Sequence, residues 1–391
     1  MTLSYADVGA AWRAARPPQV GHHLDSAACG RQSNRVLDAV AGHARREAEV
    51  GGYVAEAAAR AVLDEGRAAL GALLGFAGED IAFVENAQAA LTTLLAALPL
   101  EPGDVAACAP GEYGPNLAAF DARGLRVAEL PTDGERRIDV AAFARSLRRP
   151  GPRPDLVHVT QVGSHSGLLQ PAAEMAQVCR EQGVVCVVDA AQSLGHVDAV
   201  TVAAAAYGTS RKWLAGPRGV GLLAVRPALA GRLRPALGPD RWPEDLPAAR
   251  WVESREGHIA GRVGLSLAVA EHQALGPERV RARLAAIGSR TRALLAGAGG
   301  WRVLESRDEP TSMTTLAPPT GADVRAVHRR LLTLGVVTTY AGPERAPREM
   351  RAPRLRVSPH LDVTDEDLAA MRDALERLGD GLRQTSTFSR R

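Results

Sequence analysis

The feature that most constrains this chain is the alternation of short apolar runs with longer helical patterns. Val184–Val188 is apolar at every position, which is typical of a strand that helices cover on both faces. Strands that alternate with helices predict an α/β domain on a largely parallel sheet. The predicted strands are Ile81–Val84, Val105–Ala109, Leu125–Leu130, Leu156–Thr160, Val184–Val188, Val202–Tyr207 and Val220–Val225, and the predicted helices are Ala55–Leu74, Ala87–Ala97, Asn116–Arg123, Val140–Leu147 and Pro171–Gln182.

The pattern changes after Arg226 and predicts a second, smaller α+β domain. A proline-rich stretch at residues 235–247 is interpreted as a loop. Helices are then predicted over Val263–Ala274, Pro277–Leu295, Val324–Leu334 and Asp365–Leu378, and strands over Trp301–Glu305, Met313–Ala317 and Gly335–Tyr340. We therefore predict an N-terminal segment that packs with the small domain (1–20), a large domain (21–255), a small domain (256–384) and a flexible tail (385–391).

Length and composition are those of an ordinary two-domain protein. The 391 residues exceed one ordinary core, and the net charge of +3 gives no argument for nucleic-acid binding. The four cysteines show neither metal-ligand nor disulfide-framework spacing. No run of about 18 apolar residues predicts a membrane span, and the N-terminus lacks the apolar core of a signal peptide. We therefore expect a cytoplasmic protein with no metal, nucleic-acid partner or membrane anchor.

One lysine, Lys212, stands among 46 arginines in the 47 basic residues of the chain. Arginine can replace lysine as a surface charge, but its guanidinium stays protonated and cannot attack a carbonyl as a nucleophile. We interpret Lys212 as a residue kept for its chemistry. Chance survival in an arginine-rich sequence is the alternative.

Polar residues follow the predicted strands on either side of this lysine. Asp189 comes at the end of Val184–Val188, where an open parallel sheet binds its ligands, although it could instead cap the next turn. Thr209-Ser210-Arg211-Lys212 combines two hydroxyls, a guanidinium and an amine. That run is either an anion site beside a nucleophile or a polar loop.

A lysine paired with a strand-end aspartate is what pyridoxal 5′-phosphate (PLP) requires. Lys212 would hold the aldehyde covalently, and Asp189 would keep a proton on the pyridine nitrogen. The phosphate requires a helix N-terminus together with hydroxyl or cationic donors. The predicted phosphate donors are Asn86, Ala87 and Gln88, which open a predicted helix, and Thr209, Ser210 and Arg211.

These residues resemble motifs of the class V aminotransferase family, a group of fold-type I PLP enzymes that includes the cysteine desulfurases. The resemblance covers nearly the whole chain. It implies a large domain with a mostly parallel seven-stranded sheet and a smaller α+β C-terminal domain. The motifs that carry it are His23–Ala28, Glu112–Asn116, Val188–Gln192, Thr209–Lys212, Gly257-His258 and Arg356–Ser358.

The resemblance also implies roles for individual residues. Tyr113 would stack on the cofactor ring and assist catalysis, although a turn aromatic is the alternative reading. Gln192 would reach the phenolic oxygen of the cofactor, and Arg356 would bind the substrate α-carboxylate, with Ala28 as a further substrate contact. His258 would reach the phosphate bound by a neighbouring subunit, so a homodimer with shared active sites is expected.

Three departures from the desulfurase pattern stand out. Asn86–Ala89 replaces a phosphate loop that is rich in hydroxyls, so backbone donors must contribute more. Ser164 and His165 stand where an asparagine is expected, and each is a candidate substrate contact, with a structural histidine as the alternative for His165. The loop Thr338–Pro343 has no cysteine, which argues against the usual persulfide route of a desulfurase.

Longer runs resemble the carbon–sulfur lyases of ergothioneine biosynthesis within this family. That resemblance implies β-elimination from a cysteine S-conjugate, joined to hercynine through a sulfoxide. The trimethylammonium group of such a substrate could rest on Tyr53, Trp213 or Tyr340 by a cation–π contact. Another class V activity (desulfurase, aminotransferase or epimerase) and an inactive PLP-fold binding protein stay open as alternatives. The runs are Glu47–Tyr53, Pro110–Leu117, Ser210–Trp213, Val337–Gly342 and Arg356–His360.

Overall fold

The computed structural model describes residues 5–234, 247–254 and 256–388. The helices of these residues are α1 (Tyr5–Ala14), α2 (Asn34–Val50), α3 (Gly52–Leu74), α4 (Ala87–Ala97), α5 (Gly114–Ala122), α6 (Val140–Leu147), α7 (Ala172–Gln182), α8 (Pro227–Ala230), α9 (Ile259–Leu275), α10 (Pro277–Leu295), α11 (Val324–Thr333) and α12 (Asp365–Phe388). The strands are β1 (His22–His23), β2 (Ile81–Val84), β3 (Val105–Cys108), β4 (Arg126–Glu129), β5 (Leu156–Thr160), β6 (Val185–Asp189), β7 (Ala205–Thr209), β8 (Gly221–Val225), β9 (Arg302–Val303), β10 (Thr314–Ala317), β11 (Val336–Val337), β12 (Thr339–Ala341) and β13 (Arg354–Val357).

Seven strands form the large sheet in the spatial order β2–β8–β7–β6–β5–β3–β4. Only β8 is antiparallel to its neighbours, and the other adjacent pairs of this sheet are parallel. The carboxyl ends of β5, β6 and β7 therefore lie side by side, with Thr160 opposite Asp189 and Asp189 opposite Tyr207. The predicted α/β fold with a mostly parallel seven-stranded sheet is confirmed.

Both faces of the large sheet are buried, as the apolar run in β6 predicts. Val187 packs in one apolar layer with Phe120 of α5 and Leu91 of α4. Val188 points to the opposite layer, which contains Leu265 of α9. Successive side chains of a strand alternate between faces, so a strand covered on both sides must be apolar throughout.

A four-stranded antiparallel sheet in the order β12–β13–β10–β9 forms the core of the smaller C-terminal part. The prediction of one strand over Gly335–Tyr340 was wrong, because two short strands occupy that range. Val336 and Val337 in β11 pair with the two-residue strand β1, whereas β12 pairs with β13. The partners β1 and β13 were not predicted, since neither has a long apolar run.

Helix contacts connect the two parts of the chain. In α1, Val8 and Trp12 pack with Val280 and Leu284 of α10. Helix α9 packs across α2 and α3 and covers the large sheet. The predicted domain boundaries after residues 20, 255 and 384 stay predictions.

Two sequence-based predictions fall partly outside the described residues. Of the predicted proline-rich loop at 235–247, residues 235–246 lie outside them, and so do residues 389–391 of the predicted tail. Helix α12 continues to Phe388, and the flexibility of the tail stays a prediction. Within the described ranges, no helix is both long enough and apolar enough to cross a membrane.

A stack of four rings links α1 to the segment after Lys212. Trp213 stacks on His196 at 3.7 Å between ring centroids, and Trp12 stacks on His360 at 4.4 Å. The two pairs meet where His360 Nε2 donates to the Trp213 carbonyl at 3.0 Å. Burial lowers the pKa of both histidines to about 3, so both rings are neutral in the folded protein at pH 7.

We expect acid to destabilise the wild type more than the variant His360→Gln. The folded-state pKa of His360 lies below the ordinary value of 6.5. Below pH 6.5 the unfolded chain is therefore protonated at this histidine while the folded protein stays neutral there. The contribution of this residue is present above pH 6.5 and falls by about 2 kcal/mol between pH 6.5 and 5. Denaturant unfolding at pH 7 and pH 5 measures the free energy of unfolding of both proteins. The free energy of unfolding of the wild type should fall toward that of the variant at pH 5. Parallel losses in both proteins would contradict the prediction.

Candidate active site

A cavity of about 530 Å³ opens at the carboxyl ends of β5, β6 and β7. Its size is that of a site for a cofactor or small substrate, and the strand ends are where an open parallel sheet binds its ligands. The structure brings most of the predicted site residues together in its wall. They are Ala28, Ala87, Gln88, Tyr113, Ser164, Asp189, Gln192, Thr209, Arg211, Lys212 and Arg356.

Lys212 is partly buried in this wall, just after β7. Burial lowers the pKa of its amine from 10.5 to about 7, against the attraction of Asp189. The guanidinium groups of Arg211, Arg356 and Arg345 lower the pKa further. At neutral pH a large fraction of the amine is therefore deprotonated, as a nucleophile or general base requires.

Asp189 is the last residue of β6 and is buried. Its Oδ1 accepts from the backbone N–H of Ala191 at 2.8 Å, and its Oδ2 accepts from the Asn116 amide at 3.1 Å. These two donors fix the orientation of the carboxylate in the wall of the cavity. An anion in this position can hold a proton on a cationic ring nitrogen.

A second layer of buried polar groups supports Asp189. Asn116 also donates to Glu112 Oε1 at 2.9 Å, and Glu112 Oε2 lies 2.8 Å from His158 Nδ1. Burial opposes ionisation of both partners, yet their mutual attraction lowers the pKa of Glu112 and raises that of His158. The other ring nitrogen of His158 lies 2.9 Å from the Tyr207 hydroxyl, whose pKa is raised by burial and by the nearby carboxylates.

The opposite end of the cavity offers donors for an anion. Asn86 caps α4, because its Oδ1 accepts from the Ala89 N–H at 2.9 Å. The N–H groups of Ala87 and Gln88 stand at the first turn, where a helix leaves its donors unpaired and carries partial positive charge. Arg211 lies in the same wall and donates to the carbonyl of Ala28.

Arg356 comes from β13 and is almost fully buried. Its Nη1 donates to the carbonyl of Ser164 at 2.9 Å, and its Nη2 donates to Thr339 and to Asp25, at 3.0 and 3.2 Å. Its Nε has no acceptor among the described residues. The side chain is thus fixed by the protein and keeps a donor for a carboxylate.

Ser164 and His165 are adjacent in sequence but have different surroundings. Ser164 lines the cavity, and its Oγ is buried without a hydrogen-bond partner among the described residues. His165 does not line the cavity, and its Nε2 lies 3.2 Å from Glu349. Glu349 also accepts from Arg136 at 2.5 Å, so the surroundings of His165 favour the structural alternative.

Several predicted residues lie away from the cavity. Tyr53 and His258 are exposed, at the start of α3 and immediately before α9. Trp213 is fully buried in the ring stack, with its Nε1 donating to Gln192 at 2.9 Å, and the Tyr340 ring is covered by the Arg325 guanidinium at 4.3 Å. Neither Trp213 nor Tyr340 presents a face to the cavity in this chain.

The structure adds residues to the site that were not predicted from the sequence. His158 could have been found, because it is a polar ring within the otherwise apolar run Leu156–Val159. Asp25, which holds Arg356, belongs to a motif that was identified without a role for its aspartate. Arg345 and Arg218 line the cavity from loops, and no sequence pattern distinguishes them from the other arginines.

The donor set of this cavity fits PLP. The amine of lowered pKa can bind the aldehyde, and the buried carboxylate can face the pyridine nitrogen. The helix N-terminus next to Arg211 can bind the phosphate. Tyr113 adds an aromatic side chain to the same wall. The fold and the site together define a PLP-dependent enzyme of fold type I.

The sequence model of the family described as aminotransferase class V matches residues 22–371, and the chain belongs to this family. Family membership confirms the predicted cofactor. The chain is 54% identical to the probable hercynylcysteine sulfoxide lyase of Mycobacterium tuberculosis over 367 residues, which cover 93% of this chain and 92% of the relative. The predicted resemblance to the lyases of this family is thereby confirmed.

Two further similarities are more distant. An isopenicillin N epimerase of Streptomyces clavuligerus is 29% identical over 351 residues, covering 81% of this chain and 85% of the epimerase. The solved structure of the cysteine desulfurase CsdA from Escherichia coli superposes with a TM-score of 0.80 at 20% identity, covering 96% of this chain and 98% of CsdA. The latter similarity shows the shared fold.

Proposed function

We propose that this chain is a PLP-dependent carbon–sulfur lyase that cleaves hercynylcysteine sulfoxide by β-elimination. The observation that carries the proposal is the 54% identity to a probable lyase of that name along nearly the whole of both chains. The site supports it, since Lys212, Asp189 and Arg356 line one cavity. The epimerase and desulfurase relatives, at 29% and 27% identity, give much weaker support to those activities.

Arg356 is proposed to bind the substrate, and Asp189 and Lys212 are proposed to hold and transfer protons. PLP, when bound, supplies an electron-withdrawing ring conjugated with the substrate Cα. Arg356 binds the substrate α-carboxylate through its unpaired Nε–H, and Asp189 holds a proton on the ring nitrogen. Lys212 removes the Cα proton, a step suited to an amine with a pKa of about 7.

Bond cleavage then follows from the nature of the leaving group. The electrons of the Cα–H bond form the Cα–Cβ double bond, and those of the Cβ–S bond leave with sulfur as a sulfenate. A sulfenate is a better leaving group than a thiolate, so no enzyme thiol is needed to receive sulfur. None of the four cysteines lines the cavity. The released aminoacrylate reacts with water to give pyruvate and ammonia, and a reductant outside this chain later converts the sulfenate to ergothioneine.

A homodimer with shared active sites is part of the proposal. Tyr53 and His258 were predicted as site residues, yet both are exposed and lie outside the cavity of their own chain. Val54 beside Tyr53 is also exposed, which leaves an apolar pair on the surface. A second subunit could receive these side chains at its own cavity. The cytoplasmic location stays a prediction.

Pyruvate release tests the proposed function. The purified protein with PLP is expected to form pyruvate from hercynylcysteine sulfoxide at a rate far above that with cysteine. S-Methylcysteine sulfoxide serves as a control for general sulfoxide cleavage. Alanine with a protein persulfide, formed from cysteine without pyruvate, would instead identify a desulfurase and overturn the proposal.

A further inference from the structure

The cavity is rich in cations. Lys212, Arg211, Arg218, Arg345 and Arg356 line it, whereas Asp189 is the carboxylate in its wall. Arg211 and Arg356 donate hydrogen bonds to protein acceptors. Within the described ranges, the guanidinium groups of Arg218 and Arg345 have no hydrogen-bond or ion-pair partner.

The two unpaired arginines differ in burial. Arg218 is exposed and lines the cavity together with Ala87 of α4 and Arg211, whose pKa its charge lowers. Arg345 is half-buried and its charge lowers the pKa of both Lys212 and Arg356. Since Arg345, Lys212 and Arg356 all line one cavity, Arg345 lies within reach of a substrate bound there.

The backbone that carries Arg345 is held firmly. The turn Pro343–Arg345 follows β12, and the Arg345 N–H donates to the Gly342 carbonyl at 3.1 Å. The turn packs against the start of α5, where a Cβ at Gly114 would lie 2.1 Å from the carbonyl oxygen of Glu344. Such close packing fixes the loop next to Tyr113, while the guanidinium itself keeps its donors free.

A half-buried guanidinium with five donors and no acceptor is well suited to an anion. The α-carboxylate already has Arg356, and a phosphate has the α4 N-terminus and Arg211, so Arg345 is available for a third anionic group. We propose that Arg345 binds a carboxylate on the leaving-group half of the substrate, and that the enzyme selects conjugates with two carboxylates. The inference rests on the proposed function, because the hercynyl half of that substrate carries such a group.

The test compares hercynylcysteine sulfoxide with its analogue that lacks the hercynyl carboxylate. The wild-type holoenzyme should prefer the intact conjugate by about 10- to 100-fold in kcat/KM, the range of a charge-assisted hydrogen bond. Arg345→Gln should remove that preference by lowering kcat/KM for the intact conjugate alone. Arg348→Gln is the matched control, since Arg348 lies on the same loop, outside the cavity, and faces Glu129 at 3.7 Å.

A binding measurement separates this inference from the proposed function. Hercynine and its decarboxylated counterpart are titrated into the holoenzyme by calorimetry, which requires no turnover. Tighter binding of hercynine by the wild type, lost in Arg345→Gln and kept in Arg348→Gln, supports the carboxylate site. Equal binding of the two probes by the wild type overturns it, whatever the turnover result. Absence of pyruvate from both conjugates overturns the proposed function instead.

Discussion

Lys212→Arg is expected to lower lyase turnover by about 10⁴-fold or more, because a general base and covalent anchor are lost together. The substitution puts a permanently charged guanidinium, on a slightly longer side chain, in place of an amine that is largely deprotonated at neutral pH. A guanidinium remains protonated at every working pH, whereas the amine of Lys212 has a pKa of about 7 in this cavity. The loss would therefore report the need for an amine that can be deprotonated at neutral pH.

Pyruvate formation and the visible absorbance of the lysine-bound cofactor measure the effect of Lys212→Arg. Both should disappear, while circular dichroism and the melting temperature should show a folded protein. Arg60→Lys, at an exposed position of α3, is the matched control and should leave turnover unchanged. Turnover in Lys212→Arg within tenfold of the wild type would rule out the proposed base.

Asp189→Asn is expected to lower kcat by about 10²- to 10³-fold, the range found when one preorganised electrostatic group is removed from an active site. The variant has nearly the same shape but no negative charge to keep a ring nitrogen protonated. In the wild type, the Ala191 N–H and the Asn116 amide both donate to the Asp189 carboxylate. The NH2 group of the new asparagine must therefore face one of these two donors. KM should change little, since Asp189 is not proposed to contact the substrate.

Separate measurement of kcat, KM and bound PLP distinguishes this role from a structural one. Asp198→Asn is a suitable control, because Asp198 is exposed and its carboxylate accepts from the Val200 N–H at 3.2 Å. An Asp189→Asn enzyme that keeps kcat within threefold of the wild type would exclude the proposed role. Loss of PLP at unchanged turnover per bound cofactor would also contradict it.

The large sheet and the centre of the site followed from local sequence patterns. The apolar run before Asp189 predicts a strand covered on both faces, and a strand of that kind places its last residue at a ligand-binding edge. Lys212 could be singled out because it is the one lysine in a chain with 46 arginines. Both inferences use properties of single segments, namely burial and side-chain chemistry, which do not require knowledge of long-range contacts.

The small strands and the roles of several polar residues required the tertiary structure. β1 and β11 have two residues each, and they pair across more than three hundred residues of sequence, which no local periodicity can reveal. The sequence left His165 as either a substrate contact or a structural histidine, and the structure places Glu349 beside it. A polar side chain takes its role from its partners, and those partners come from distant segments.

Sequence by itself determined the family, the α/β class and the choice of Lys212 and Asp189 as site residues, because each follows from local motifs or from the chemistry of a single side chain. The tertiary structure alone decided that Asp25 holds Arg356, that Glu112 and His158 support Asp189 through Asn116, and that Arg345 lines the same cavity as Lys212. The physical reason is that hydrogen bonding, burial and electrostatic interaction depend on distance in space. An arginine among 46 becomes distinctive only when the fold places its guanidinium in the cavity of the catalytic amine, with no acceptor among the residues that the structure describes.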